Sequence, residues 1–139
     1  MAPRWLVDPS TLVKPPGGKR KIGRKPLIDL AALQEAIQNG SLDEDDLWLG
    51  TGKAERDLEN LRWTFRDALD CIACLRPEDH KGAEWCEDRS GCWYPCDAYA
   101  IRYDDVERCR IRHSDFNYYL KFSLGRNGGL TLVLISCHV

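Results

Sequence analysis

Residues 117–138 read NYYLKFSLGRNGGLTLVLISCH. Two segments with apolar side chains at alternating positions flank the glycine-rich sequence GRNGG, a pattern typical of a β-hairpin. Asn127-Gly128 and Gly128-Gly129 each fit a two-residue type I′ turn, because both central residues of that turn need a positive φ. We therefore predict two antiparallel strands joined by a tight turn.

This hairpin would divide its side chains between two faces, and both turns give the same division. The apolar face would hold Leu120, Phe122, Leu124, Val133, Ile135 and Cys137, and the polar face Tyr119, Lys121, Ser123, Ser136 and His138. With the Gly-Gly turn, Tyr119 lies directly opposite His138. Lys121 then lies opposite Ser136, so a phenol, an amine, hydroxyls and an imidazole share one face.

Two helices are predicted upstream of the hairpin. The first spans residues 29–39, where Asp29 is a good N-cap and Gly40 follows in the position of a left-handed C-terminal residue. The second spans residues 54–75 along one apolar stripe and ends before Pro77.

The remaining segments complete an α+β pattern. Residues 80–96 are rich in Cys, Gly and Trp and are expected to form a loop, whereas residues 97–103, DAYAIRY, alternate like a strand. We predict two main helices packed on a small antiparallel sheet of about three strands. These elements would form a single domain over residues 28–139.

The N-terminal segment has a different composition. Residues 14–26, KPPGGKRKIGRKP, combine helix breakers with like charges, so residues 1–27 are predicted to form a flexible basic arm. Residues 1–26 contain seven basic residues and one acidic residue, a local charge of +6, so the rest of the chain carries −8 within the total of −2. An acidic body is a poor match to a protein that binds nucleic acid through net charge.

The apolar runs and the seven cysteines are used to predict the cellular compartment. No apolar run approaches the ~18 residues needed to cross a membrane, and residues 1–26 lack the apolar core of a signal peptide. We expect a cytoplasmic protein with reduced thiols and no membrane partner. Cys86, Cys92 and Cys96 with His80 form a candidate zinc set, but structural zinc sites usually show two close pairs of ligands, so we expect no cofactor.

The polar face of the hairpin combines groups suited to metal-independent phosphodiester chemistry. Histidine can exchange a proton near neutral pH, and lysine can neutralise charge that develops on a phosphate. Tyrosine can stack on a base, and the RNA 2′-hydroxyl would be the nucleophile. Tyr119, Lys121 and His138 are therefore candidate catalytic residues; the alternative is an ordinary solvent-facing strand surface.

Four stretches, taken in order, resemble the MqsR family of toxin–antitoxin ribonucleases. They are LAALQEAIQNGSL (30–42), DCIACLRPEDHK (70–81), YPCDAY (94–99), and the strand pair YYLKFSL (118–124) with LVLISCH (132–138). The resemblance implies an α+β fold of the RelE-like kind, cleavage of mRNA at short sequence contexts, and inhibition by a cognate antitoxin protein.

The resemblance can be carried over residue by residue. The family's strand tyrosine and lysine fall on Tyr119 and Lys121, and a loop lysine falls approximately on Lys81. The family's C-terminal lysine falls on His138, which keeps a cationic or acid-base group. Its glutamine before D-x-Y falls on Cys96, which loses an amide.

Together these patterns predict a metal-independent endoribonuclease toxin. His80 would support the catalytic residues, and Lys81, Arg102 and Ser136 would contact RNA. The expected partners are RNA and a cognate antitoxin. The sequence leaves open a non-catalytic Cys/His-rich domain that binds a protein partner, with or without zinc at the four candidate ligands named above.

Overall fold

The computed structural model describes residues 3–112, 117–125 and 132–139. This part of the chain forms three α-helices and seven β-strands, with short 3-10 turns between them. The helices are α1 (Leu30–Gln38), α2 (Gly52–Leu61) and α3 (Phe65–Ala73). The strands are β1 (Lys21–Gly23), β2 (Leu47–Leu49), β3 (His80–Glu87), β4 (Trp93–Asp104), β5 (Cys109–Arg110), β6 (Asn117–Leu124) and β7 (Leu132–His138).

All seven strands belong to one mixed sheet. Its order is β1-β3-β4-β6-β7-β2, and β5 pairs with the end of β4. Strand β2 runs parallel to β7, whereas the other pairings are antiparallel. The predicted architecture of two helices on about three antiparallel strands is therefore wrong within the α+β class.

The strands that the prediction missed lack a clear periodicity. Strands β1, β2 and β5 have only two or three residues each, too few to show alternation. Strand β3 lies in the segment expected to be a loop. A bulge between His80 and Gly82, with Gly82 at a φ of +134°, interrupts its alternation.

The helix predicted over residues 54–75 is also wrong, because it is two helices. Arg62 ends α2 in the left-handed region with a φ of 57°. Thr64 then caps α3 by accepting a hydrogen bond from the Asp67 N–H, and the Asp67 carboxylate accepts one from the Thr64 N–H. The apolar stripe continues across the break because both helices face the same core, so periodicity alone did not mark it.

Helix α1 confirms its prediction. The Asp29 carboxylate accepts a hydrogen bond from the backbone N–H of Ala32 at 3.1 Å. Gly40 follows the helix with a φ of +81°. In the described residues, the helices are all too short or too polar to cross a bilayer.

The three helices cover one face of the sheet. The main core joins all three to alternating residues of the central strands, among them Tyr99, Ile101, Leu120, Phe122 and Leu134. We call the opposite side of the sheet the open face. Part of it holds a smaller apolar cluster formed by Cys86, Cys96, Val133 and Ile135, with Tyr94 against them.

Strands β6 and β7 pair at their outer ends as the Gly-Gly turn predicts. Tyr119 lies opposite His138, and Lys121 lies opposite Ser136. The two candidate turns fall in residues 126–131, which lie outside the described residues.

A β-bulge after Lys121 changes the second half of this hairpin. Phe122 pairs with Leu134, one residue out of step with the outer pairs. Val133 and Ile135, predicted to share the apolar face with Phe122, instead belong to the cluster on the open face. The extra residue in β7 reverses the alternation, which the sequence pattern did not indicate.

The N-terminal segment, expected to be a flexible arm over residues 1–27, contacts the sheet. Strand β1 pairs with β3, and the Leu6 N–H donates to the Leu27 carbonyl at 2.7 Å. Trp5 packs against the main core. The Lys14 ammonium lies 4.3 Å from the centroid of the Trp93 ring. The free edge of β3 and these aromatic contacts give the segment partners that its composition did not suggest.

Candidate functional site

Tyr119 and His138 form a stacked pair on the open face. Their ring centroids are 5.5 Å apart and their planes differ by 26°. Tyr119 is 44% exposed, so its ring is available to a ligand. Nδ1 of His138 lies 3.3 Å from the main-chain oxygen of Val139. The pairing follows from the hairpin register, which places the two residues directly opposite each other.

Lys121 lies two residues further along β6 and forms an ion pair with Glu84 of β3. The contact reaches across β4, where Ala98 lies opposite Lys121 and has too small a side chain to block it. Burial is the largest single effect and lowers the pKa of Lys121, but the hydrogen bond with the Glu84 carboxylate and the attraction of Glu84, Cys86 and Cys96 together outweigh it, so the pKa is raised overall. Lys121 therefore carries its positive charge at neutral pH.

A cavity of about 290 Å³ joins these side chains. Lys81, Glu84 and Ser136 line it together with the stacked pair and Lys121. The cavity thus combines an imidazole, a phenol, a hydroxyl and ammonium groups with one carboxylate. Such a set can transfer protons and bind a phosphate without any further group.

Lys81 also belongs to a second concave surface, which it shares with Arg102, another of the predicted RNA contacts. Lys81 and Arg102 both line a larger groove of about 700 Å³, which adjoins the cavity at Tyr119. The Arg102 guanidinium donates a hydrogen bond to the Arg112 carbonyl at 3.1 Å, which holds it at the groove wall. The structure therefore brings Lys81 next to the hairpin group and places Arg102 in the adjoining groove.

His80 occupies a different environment. Its side chain is 5% exposed, and its Nε2 lies 2.9 Å from Oδ1 of the fully buried Asp97. The ring also meets Tyr99 edge-on, with centroids 5.1 Å apart, on the core side of the sheet. The structure therefore separates the His80 ring from the Tyr119–His138 pair and gives it a structural partner.

The candidate zinc ligands do not converge. Cys86 and Cys96 meet in the open-face cluster, Cys92 is exposed in the turn between β3 and β4, and His80 faces Asp97. Over the described ranges, His, Cys, Asp and Glu side chains form no group of three or more that could hold a metal ion. A hydrogen bond with Cys96 lowers the pKa of the Cys86 thiol, whereas burial raises that of Cys96.

Comparison with known proteins yields no relative. No family model, curated protein or solved structure matches this chain. The site is therefore interpreted from its own geometry, and the likeness to the MqsR family stays a prediction from four motifs.

Some residues of the site were not expected from the sequence. Glu84 was missed because residues 80–96 were predicted to be a loop. Without strand β3, the sequence did not indicate which face Glu84 occupies or that it can contact Lys121. Arg110 and Arg112 were missed because β5 is too short to show a pattern. Their only sequence signal is the run RCRIR at residues 108–112, in which three arginines alternate.

Proposed function

We propose that this protein is a metal-independent endoribonuclease. The observation that carries the proposal is the stacked Tyr119–His138 pair beside the Lys121 ammonium in one open-face cavity. Each group has a part in cleavage of a phosphodiester by the neighbouring 2′-hydroxyl. The reaction requires proton transfer and stabilisation of charge on phosphate, and these side chains supply both.

In the proposed reaction, the 2′ oxygen forms a bond to the adjacent phosphorus and the bond from phosphorus to the 5′ oxygen breaks. His138 accepts the proton of the 2′-hydroxyl and returns it to the leaving 5′ oxygen. The protein therefore ends in its starting protonation state. The products are a 2′,3′-cyclic phosphate and a 5′-hydroxyl.

Lys121 and Tyr119 have supporting roles in this scheme. Lys121 donates to the non-bridging phosphate oxygens, where negative charge increases as the new bond forms. One face of the Tyr119 ring stacks on a base next to the cleaved bond, and the other face keeps the His138 ring in place. Ser136, opposite Lys121, is close enough to the cavity to donate to the same phosphate.

The biological role that we propose for this endoribonuclease is that of a toxin. It is supported by the ordered motifs within residues 28–138 that resemble the MqsR family, which implies mRNA as the substrate and an antitoxin protein as the partner. The bacterial test is induced expression, which should arrest growth unless the antitoxin is co-expressed.

The biochemical test is RNA cleavage by the purified chain in the presence of a metal chelator. His138→Ala should lower the single-turnover rate by roughly 10²–10⁴-fold, the range for loss of a positioned acid-base group. Val139→Ala, at the exposed neighbouring position, is the control and should cleave normally. Cleavage by His138→Ala at the control rate would remove this residue from the mechanism, and products with a 3′-hydroxyl would exclude the proposed reaction.

A further inference from the structure

The larger groove on the open face differs from its surroundings in charge. It has a volume of about 700 Å³, and the described residues that line it include five basic residues and one acid. The basic residues are Arg76, Lys81, Arg102, Arg110 and Arg112. The acid, Asp79, is buried and forms an ion pair with Arg110.

Most of this positive charge has no acidic partner within the described ranges. Among the described residues, Arg76, Lys81, Arg102 and Arg112 have no ion-pair partner. Arg110 Nε is buried and likewise has no hydrogen-bond partner within the described ranges. Cations held together at a concave surface repel one another, and an anion that bridges them relieves this repulsion.

The groove floor is low because β4 presents small side chains on this face. Ala100 lines the groove, and Ala98, at the preceding open-face position, lines the adjoining cavity; both are partly exposed. On one side they are flanked by Lys81 of β3, and on the other by Tyr119 and Lys121 of β6. The result is a trough over β4 between rows of larger polar side chains.

The trough leads into the proposed active site. Lys81 and Tyr119 line both the groove and the smaller cavity that contains His138. A chain of phosphates in the groove would therefore continue past the Tyr119 ring to the imidazole. This continuity distinguishes the groove from a patch of unrelated surface cations.

We infer that this groove binds the backbone of single-stranded RNA on one side of the cleaved bond, with Arg102 and Arg112 as phosphate contacts and Ala100 as the floor. The inference rests on the proposed function and extends it to nucleotides outside the cavity. A single strand fits because its unstacked bases can reach the Tyr119 ring, whereas the bases of a duplex are already stacked on each other.

The test measures binding rather than cleavage. The probe is a fluorescent 2′-O-methyl RNA of mixed sequence, roughly 12 nucleotides long, which has no 2′-hydroxyl to react. Arg112→Glu should weaken binding by roughly tenfold or more and lower the slope of log affinity against log salt by about 0.7 per lost phosphate contact. Arg56→Glu makes the same charge change at an exposed position on α2 and should have a much smaller effect.

A second pair of variants tests the shape of the groove without changing its charge. Ala100→Leu should fill the floor and weaken binding of the same probe. Ala31→Leu makes the same change on the exposed side of α1 and should not. Thermal melts of the four variants establish that each is folded at the assay temperature.

Specific outcomes would overturn the inference. The inference is wrong if Arg112→Glu binds as well as Arg56→Glu, or if the two leucine variants bind equally. It is also wrong if the matching duplex binds more tightly than the single strand, or if polyglutamate competes fully with the probe. A chain that binds the probe through the groove but cleaves no RNA would contradict the proposed function and leave the groove assignment standing. Cleavage of RNA by Arg112→Glu with the rate and affinity of the parent would contradict the groove assignment and leave the proposed function standing.

Discussion

At the scale of single residues, the open-face site depends on side chains that are held by their neighbours. His138 is stacked on Tyr119, and Lys121 is held by Glu84 across the small Ala98. The carboxylate has two opposing effects: it keeps Lys121 protonated and in place, and it competes with a phosphate for the same ammonium. Glu84 is therefore expected to restrain RNA binding while it orders the site.

Substitution of this ion pair tests the role of the cation. Lys121→Met should lower the single-turnover cleavage rate by roughly 10²–10³-fold, because the charge on the phosphate loses its stabilising partner. Glu84→Gln should free the Lys121 ammonium for phosphate and increase RNA affinity. Both partners are partly exposed, so each change should alter the free energy of unfolding by no more than about 1 kcal/mol. A Lys121→Met chain that cleaves like the parent would show that the ammonium has no part in the reaction.

At the scale of secondary-structure elements, local signals that involve few residues were the reliable ones. The cap of α1 and the outer pairs of the hairpin were predicted because each depends on neighbouring residues and turn chemistry. The break between α2 and α3 and the bulge in β7 were not, because neither interrupts the apolar pattern. Each of these breaks changes which side chains face the core, so it matters more to the site than the length of any element.

The cap of α1 gives a prediction for stability. A backbone hydrogen bond from Ala32 and a side-chain bond from Arg4 lower the pKa of Asp29. Asp29→Ala should reduce the free energy of unfolding by about 1 kcal/mol at neutral pH. Asp29→Asn, which can still cap the helix, should cost less.

The pH dependence separates the charge of Asp29 from its shape. A carboxyl group with a lowered pKa in the folded state stabilises the fold above its unfolded pKa of about 3.9, and loses this contribution as the pH falls through the folded value. The difference between the parent and Asp29→Ala in urea denaturation should therefore be constant above about pH 5 and shrink in more acidic solution. A difference that grows on acidification would contradict this assignment.

At the scale of the whole molecule, the formal charge of the chain does not describe the charge of the open-face groove. Helices α2 and α3 and residues 43–46 carry many of the acids, on the side of the helices. In the part of the chain that the structure describes, the groove on the open face is lined by five basic residues and one acid. The formal charge of −2 and the acidic body counted against RNA binding, but the local charge at the proposed interface is positive.

Asp97 connects the N-terminal segment to the sheet, so its substitution tests how much this connection stabilises the fold. It is fully buried and accepts hydrogen bonds from the N–H groups of Leu27 at 3.0 Å and Ile28 at 2.9 Å, while His80 lies at 2.9 Å. Asp97→Ala should lower the free energy of unfolding by roughly 3 kcal/mol or more, because these donors lose their buried acceptor.

Two measurements check this expectation. Chemical denaturation gives the loss of stability, with Glu59→Ala on the exposed side of α2 as the control. Trypsin should also cut residues 14–26 of Asp97→Ala faster than those of the control, because the segment loses its anchor. Equal stability and equal cleavage of the two variants would show that Asp97 does not hold the segment.

The sequence by itself determined those features that depend on residues near one another in the chain. It predicted the hairpin that pairs Tyr119 with His138, because alternation and turn chemistry are local. It also predicted helix α1, because a capping residue and an apolar stripe lie within a few turns. It did not determine the mixed sheet, since strands of two or three residues form only when distant segments supply their hydrogen bonds. Only the tertiary structure decided that His80 faces Asp97 and that Arg102 and Arg112 share one groove, because these relations join residues from strands and connections whose pairing no local pattern indicates.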